Sequence, residues 1–308
     1  MAQLWNLRGL SWRELAKRTC RKSWDDDVFG QAARLSFYYF LALFPALLLL
    51  LILLDKFADT GSELRSTLLD SLRQILPHEA SAIMSNTIGE LNQKAVIGTG
   101  AITAALSAVW AALNGTWAMM TGLNKAYEVK EERLWWKVWI TAFGLTVLLG
   151  IMGLVALVVI LYGNRSGDII GRHLGVSAHF EFLSRIIQWA AILILLLFSC
   201  ALLYRFGPNL KDRRWQWSIP GAVVAVALWV ISTLALRGYQ DHFNSSHRIY
   251  GELNAVVTLS FWLYLTGAAL FIGGEVNSEI EKAATEAGHP DVREPGERRS
   301  GGETKPKE

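Results

Sequence analysis

Hydrophobic positions are concentrated in six windows that contain no Asp, Glu, Lys, Arg or His. The windows are Leu35–Leu54, Ala95–Asn124, Val138–Asn164, Ile186–Tyr204, Trp215–Leu236 and Leu253–Gly274. About 20 residues of α-helix, at 1.5 Å per residue, cross a hydrocarbon layer of about 30 Å. Soluble helices of this length carry charge on their exposed face. The pattern therefore predicts a membrane protein with six spanning helices and excludes a soluble enzyme.

The windows favour helices over barrel strands, which need only about ten alternating residues each. Helices also satisfy their own backbone groups inside lipid, so the predicted fold class is all-α, a polytopic helical bundle. The predicted membrane domain covers 32–284, and its spans lie near 35–54, 97–121, 138–162, 186–204, 215–236 and 253–274. Cys20 and Cys200 are too few for a disulfide framework or a cysteine metal site.

Basic residues near the membrane predict the orientation of the bundle. The net charge of +3 is ordinary, but its distribution is not. Seven Lys and Arg residues precede the first window, and segments 125–137 and 205–214 carry four each. The alternate loops are poorer in Lys and Arg for their length. Both termini are therefore predicted to face the cytoplasm.

The segment 1–31 is predicted to be cytoplasmic and to contain an amphipathic helix over 11–23. Ser11 and Glu14 have the spacing of a capping box. One face of this helix carries the basic residues Arg13, Lys17 and Arg21. Such a face attracts anionic lipid headgroups, so membrane lipids are the expected partners. A simple orientation signal is the alternative.

Two further segments lie outside the spans. Within 60–94, apolar residues recur at helical spacing on both sides of Pro77, which predicts an extracytoplasmic helical hairpin. The hairpin is interpreted as a lid or partner surface, or as a long structured loop. The tail 285–308 is rich in Pro, Gly and charge, and is predicted to be disordered.

Small and polar residues inside the windows predict how the helices pack. Glycines mark faces where helices approach closely, namely Gly144, Gly150 and Gly153 in the third window and Gly267, Gly273 and Gly274 in the sixth. Pro45 is a candidate hinge in the first window, because proline frees a backbone carbonyl. A kink that serves only packing is the alternative.

A candidate polar site is predicted at the cytoplasmic boundary. Its members are Arg34, Tyr38, Asn114, Tyr204, Arg205 and Glu275. A carboxylate at the C-terminal end of a helix is unfavourable against the helix dipole, so Glu275 is predicted to pair with Arg34 or Arg205. Asn114 is costly to expose to lipid and is placed in a cavity or in an interhelical hydrogen bond. In the alternative interpretation each charge reaches water singly.

Several stretches resemble the YihY/BrkB family of multi-pass bacterial inner-membrane proteins. The first is 32–45, with the sequence AARLSFYYFLALFP. The others are Leu123–Tyr127, Leu203–Asn209 with Pro220-Gly221, Tyr250–Asn254 and Gly273–Asn277. The resemblance covers roughly 11–284 and implies six spans, cytoplasmic ends and an inner-membrane location. Some members carry the label ribonuclease BN, and others are linked to virulence, serum resistance or the handling of envelope lipids.

The residues themselves argue against a nuclease. Hydrolysis of a phosphodiester needs a metal or an acid–base cluster, and the six His residues are scattered outside the windows. The predicted topology places five of them across the membrane from cellular RNA. We therefore expect no catalysis, no cofactor, no metal and no nucleic-acid partner.

Two functions remain for such a bundle. Interior polar groups without a midplane charge suit a transporter, or a protein that handles lipids or other amphiphiles, better than an ion pump. The alternative is a non-catalytic protein of envelope assembly. A second copy of the chain and another envelope protein both remain open as protein partners.

Overall fold

A computed structural model of the chain describes residues 11–55, 99–174, 177–210, 217–242 and 252–286. These residues form seven α-helices and contain no β-strand. The helices are α1 (Trp12–Asp25), α2 (Val28–Asp55), α3 (Thr99–Ala126), α4 (Trp135–Leu174), α5 (Ser177–Phe206), α6 (Ile219–His242) and α7 (Glu252–Glu286). The prediction of an all-α fold is confirmed for the part of the chain that is described.

Four helices contain stretches that are long and apolar enough to cross a membrane. These stretches are Trp135–Ile160, Leu183–Phe206, Ile219–Gln240 and Asn254–Glu286, with mean hydropathies of 2.7, 2.6, 2.2 and 1.9. Large apolar side chains cover their outer surface, as at Ile140, Ile194 and Val257. A water-soluble protein rarely exposes so much contiguous apolar surface, so these helices face lipid.

The first two predicted spans fall on α2 and α3, which are helical as expected. The count of six spans and the orientation of the ends stay predictions. The predicted hairpin within 60–94 and nearly all of the predicted tail lie outside the described residues. α7 continues as one helix to Glu286, well past the end of the last window at Gly274.

α1 begins as the sequence predicts, because the Ser11 hydroxyl caps it by accepting a hydrogen bond from the Glu14 N–H at 3.2 Å. Its buried face consists of Leu15, Thr19 and Ser23, and this face packs on α7 and α2. The basic residues Arg13, Lys17 and Arg21 are exposed on the outside. α1 is thus docked on the bundle with its cationic face free to meet a surface.

α7 is the centre of the packing. It contacts α1, α2, α3 and α6, and α2 also pairs with α3. α4 and α5 pair with each other and reach the rest of the bundle through α3 and α6. The buried side chains at the centre of the bundle include Leu35, Met120, Leu123, Tyr204 and Phe271. We call the end of the bundle that holds α1 the α1 end, and the opposite end the far end.

Glycine allows the closest approach of two helices, between α6 and α7. A Cβ atom on Gly221 would collide with the Gly273 carbonyl oxygen, and one on Gly273 would collide with the Tyr204 hydroxyl and the Gly221 carbonyl oxygen. A Cβ on Gly267 would press against the Ala32 backbone of α2, and one on Gly274 against Leu123. The predicted close-approach face of the sixth window is confirmed.

The corresponding prediction for the third window is wrong. Among the described residues, no neighbouring atom outside their own helix backbone lies within 4 Å of the position that a Cβ would take on Gly144, Gly150 or Gly153 of α4. The sequence contains three small residues on this helix, but whether they form a close helix–helix contact depends on which residues pack against them. α4 turns these glycines toward open space.

Candidate functional site

Charged side chains from three segments of the chain meet at the α1 end of the bundle. We call this the ionic cluster, and its members are Lys22, Asp26, Glu128, Glu275, Glu279 and Lys282. Lys22 Nζ contacts Asp26 Oδ2 at 3.3 Å and also Glu128 Oε1. Lys282 Nζ contacts Glu128 Oε1 at 2.6 Å and Glu279 Oε1 at 3.4 Å. Four carboxyl groups thus face two ammonium groups.

Burial changes the electrostatics of the ionic cluster. It lowers the pKa of Lys22, and the neighbouring Lys282 ammonium acts in the same direction. The Lys22 side chain is only 13% exposed. Burial therefore disfavours the protonated form of Lys22, and its contacts with the neighbouring carboxylates offset part of that cost.

Glu275 lies at the base of the ionic cluster and is 0% exposed. No N–H or hydroxyl donor reaches either of its carboxyl oxygens. The charged groups that lie against it are Asp26 and Lys22 from the α1 segment and Glu279 from α7. A buried carboxyl group without a hydrogen bond is rare in folded proteins, and it marks a place with a role beyond packing.

The other predicted members of the polar site are spread along the bundle. Arg34 is exposed on α2, and Arg205 packs over the Phe206 ring at 5.5 Å from its centroid. The structure places Asp26 and Lys22 beside Glu275, and sequence reasoning did not single out either of them for this role. The pairing of Glu275 with Arg34 or Arg205 stays a prediction.

The polar side chains of the predicted site have separate surroundings. The Asn114 amide donates to the Trp110 carbonyl of its own helix at 2.7 Å. Tyr38 is half-buried and packs edge-on against Phe37. The buried Tyr204 hydroxyl donates to the Leu270 carbonyl at 2.6 Å and so joins α5 to α7. α2 continues through Pro45 as one helix, and its use as a hinge stays a prediction.

Three asparagines that were not predicted hold the α1 end together. Asn124 Oδ1 accepts a hydrogen bond from the Asn209 N–H at 2.7 Å, and Asn209 Nδ2 donates to the Lys130 carbonyl at 3.0 Å. Asn277 Oδ1 accepts from the Gly221 N–H at 2.6 Å, and its Nδ2 donates to the Ser218 carbonyl at 3.3 Å. All three lie in stretches that carry the family resemblance, which is the signal that could have revealed them.

An acidic residue anchors the loop between α3 and α4. Arg133 forms two hydrogen bonds with the Glu131 carboxylate, at 2.7 and 2.6 Å, and reaches the Gly207 carbonyl at 3.1 Å. Burial would raise the pKa of Glu131, but the hydrogen bonds from Arg133 and Asn124 outweigh it and lower the pKa. The loop is therefore fixed to the end of α5 while Glu131 is ionised.

A large apolar cavity lies between α4, α5 and α6. Its volume is about 530 Å³, and its walls include Gly153, Trp189, Leu193, Leu234 and Arg237. Trp189, Leu193 and Leu234 are each at least 45% exposed, so the cavity opens sideways on the lipid-facing surface. The wall of the cavity is otherwise hydrophobic, and its polar side chains are those of Ser199, Thr233 and Arg237.

A second cavity of about 180 Å³ lies deeper, where all six long helices meet. Tyr39, Met119 and Leu270 contribute to its walls. Both cavities are lined by Leu149, Leu196, Ser199 and Trp229, so they adjoin one another. We call the two together the groove, which runs from the lipid-facing surface to the centre of the bundle.

The described residues contain no group of three or more His, Cys, Asp or Glu side chains that could hold a metal ion. Long apolar helices around a buried polar end and a lateral groove define a multi-pass helical membrane protein. The sequence model of the family described as virulence factor BrkB matches residues 19–297, and the chain belongs to this family. It is a multi-pass protein of the bacterial inner membrane.

Curated relatives agree with the family. The chain is 30% identical over 256 residues to YfkH of Bacillus subtilis, a putative ribonuclease-like protein. The aligned region covers 82% of this chain and 90% of that protein. The chain is 25% identical over 265 residues to a UPF0761 membrane protein of Xanthomonas campestris. This alignment covers 84% of this chain and 59% of that protein. A UPF0761 membrane protein of Vibrio cholerae is 35% identical over 78 residues, or 25% of this chain and 26% of that one. No solved structure matches the chain.

Proposed function

We propose that the protein binds a membrane amphiphile, such as a phospholipid or a glycolipid, in the groove and moves it between leaflets or to a partner. The observation that carries this proposal is the continuous apolar groove that opens to lipid and reaches the centre of the bundle. Its larger part lies within the range of about 300 to 1,000 Å³ that is usual for ligand sites. An acyl chain can enter such a groove without leaving a hydrocarbon environment.

The walls of the groove suit an anionic amphiphile. Arg237 lies 18 residues after the start of α6, which corresponds to about 27 Å along the helix axis and puts it near the far end. A guanidinium group there can bind a phosphate or carboxylate headgroup while the apolar wall holds the chain. In the predicted orientation the far end is extracytoplasmic.

No catalytic step is part of this proposal. The ribonuclease-like name belongs to the Bacillus subtilis relative, and the groove of this chain offers apolar walls in place of acid–base or metal chemistry. The exposed basic face of α1 would add an electrostatic contact with anionic headgroups. A non-catalytic role in envelope assembly is the alternative, and the experiment below separates the two.

The test uses a glycine of α4 that lines the groove. Gly153→Phe places a ring in the groove, and the open space around the Gly153 Cβ position means that the ring meets no neighbouring helix first. The purified protein is reconstituted in vesicles that contain a labelled phospholipid, and the rate of exchange between leaflets is measured. We expect Gly153→Phe to slow the protein-dependent rate by about tenfold, which corresponds to about 1.4 kcal/mol.

Gly150→Phe is the matched control, because Gly150 lies one turn earlier on the same helix, also in open space, and is not part of the groove wall. It should leave the rate unchanged. Equal rates for both variants would show that the groove is not the path. If the wild-type protein neither binds nor exchanges any phospholipid or glycolipid, the proposal fails and the assembly role takes its place.

A further inference from the structure

Glu275 is an ionisable side chain in an environment that does not stabilise its charge. It is fully buried, and no N–H or hydroxyl donor reaches either of its carboxyl oxygens. An ionised carboxylate in such a place loses its hydration, and the nearby Lys22 ammonium, which is already paired with Asp26 and Glu128, compensates only in part, whereas the neutral acid loses far less. The geometry thus favours the protonated form while α1 is docked.

A second carboxyl group faces Glu275 from the α1 segment. Asp26 caps the C-terminal end of α1, and its carboxyl group lies against that of Glu275, while Asp26 Oδ2 forms an ion pair with Lys22 Nζ at 3.3 Å. The other charged groups around the two are Lys22, Glu128, Glu279 and Lys282. Lys22 contacts Asp26 and Glu128, and Lys282 contacts Glu128 and Glu279, so the two ammonium groups are already paired with three other carboxyl groups.

We propose that Glu275 binds a proton beside the Asp26 carboxyl group, and that this proton-binding site holds α1 against the bundle. Two adjacent carboxyl groups in a buried place cannot both be ionised without strong repulsion. Loss of the Glu275 proton leaves two anions side by side, with Glu279 as a third close by, and the Lys22 ammonium offsets this repulsion only in part. The repulsion is relieved when α1, together with Asp26, moves away and both carboxylates become hydrated.

α1 is the element that repulsion between these carboxylates can displace. Its buried face consists of Leu15 and the small side chains of Thr19 and Ser23, whose hydroxyls have no hydrogen-bond partner. Its ion pair to the end of α7, between Arg18 and Glu286, is exposed and contributes little to docking. The contacts of Lys22 with Glu128 and of Asp26 with Glu275 are therefore a large part of what holds α1 in place.

The direction of the pH effect follows from proton counting. In the released state the Glu275 carboxyl group is in water and is ionised above about pH 4. The docked state retains one more proton than the released state at higher pH, so raising the pH shifts the equilibrium toward release. Docking is complete in acid and weakens as the pH rises through neutrality.

Thiol labelling measures this equilibrium in the full-length protein. Ser23→Cys, in a background of Cys20→Ser and Cys200→Ser, places a thiol on the buried face of α1, where a charged methanethiosulfonate reagent reaches it only after release. The native Cys20, in a Cys200→Ser background, is exposed on the same helix and reports the intrinsic pH dependence of thiol reactivity. The ratio of the two rates isolates the movement of α1.

We expect the ratio to rise by about tenfold between about pH 6 and pH 8.5. Release is coupled to the loss of one proton, so the equilibrium constant for release rises tenfold per pH unit once the pH exceeds the value at which the site titrates. Glu275→Gln mimics the protonated acid and should keep the ratio low at every pH. Thr19→Cys on the same buried face provides a second reporter if Ser23→Cys does not fold.

A ratio that does not change with pH would overturn the proposal, and so would an equal rise in the wild-type and Glu275→Gln backgrounds. The measurement requires no transported substrate, so its outcome is independent of the proposed function.

Discussion

A single side chain, Asn277, connects two helices of the bundle. Its amide oxygen accepts from the Gly221 N–H and its nitrogen donates to the Ser218 carbonyl, and Asn277 is only 1% exposed. The first N–H groups of a helix have no partner within that helix, so Asn277 supplies from α7 a partner that α6 lacks. Its position midway between Glu275 and Glu279 of the ionic cluster places this contact at the α1 end.

Asn277→Ala should lower the free energy of unfolding by about 1 to 3 kcal/mol, because it leaves buried backbone groups of α6 unsatisfied. Thermal unfolding in detergent measures the loss. Asn114→Ala is the matched control, since its amide bonds only within its own helix, and it should change stability by less than about 0.5 kcal/mol. Equal losses for the two variants would contradict the role of Asn277.

Glu131 makes the stability of the α3–α4 loop depend on pH. Its pKa is lowered in the folded protein, so its contribution is present above the ordinary carboxyl range near pH 4 and disappears as the pH falls through the folded value. We expect Glu131→Gln to lower the melting temperature at neutral pH. The wild-type and variant curves should converge in acid.

Melting curves recorded across this pH range provide the test. Asp25→Asn removes one negative charge from an exposed ion pair with Arg21, which contributes little to stability, and serves as the charge-matched control. A difference between wild type and Glu131→Gln that persists unchanged in acid would show that ionisation of Glu131 is not its source.

At the scale of the helices, α6 and α7 are in backbone contact through Gly221 and Gly273. Gly273→Ala should destabilise the protein by about 1 to 3 kcal/mol, because its methyl group would collide with the Gly221 carbonyl and the Tyr204 hydroxyl. Unfolding in detergent with added denaturant measures this effect. Gly144→Ala on α4 adds the same methyl group in open space and should be neutral or slightly stabilising.

Helix positions could be predicted from the sequence because each spanning helix is encoded by its own run of apolar residues. The helix pairs could not, because packing depends on distant residues. Gly273 and Gly144 have similar apolar surroundings in the sequence, yet only Gly273 meets another helix. Glu275 could be singled out as a charge beside an apolar window. Its neighbour Asp26 comes from the opposite end of the chain, and no spacing rule connects the two.

At the scale of the whole molecule, the orientation in the membrane can be tested with reporter fusions. Fusions after Lys130 and Lys211 should report the cytoplasm, because Lys and Arg are concentrated in the segments 125–137 and 205–214. Fusions after Ser71, Ser177 and Asn244 should report the opposite side of the membrane. Phosphatase and fluorescent-protein reporters give opposite signals on the two sides. A cytoplasmic signal after Ser71 would contradict the six-span arrangement.

The central position of α7 has a consequence for biosynthesis. α1, α2, α3 and α6 all pack on α7, and α7 is the last of the described helices to leave the ribosome. From the end of α3 at Ala126 to the start of α7 at Glu252, translation at about 5 to 20 residues per second takes about 6 to 25 s. During this interval the earlier helices are inserted without their common neighbour and expose unsatisfied polar groups to quality-control proteases. We therefore expect premature termination before α7 to eliminate the whole protein and not to leave a partly functional bundle.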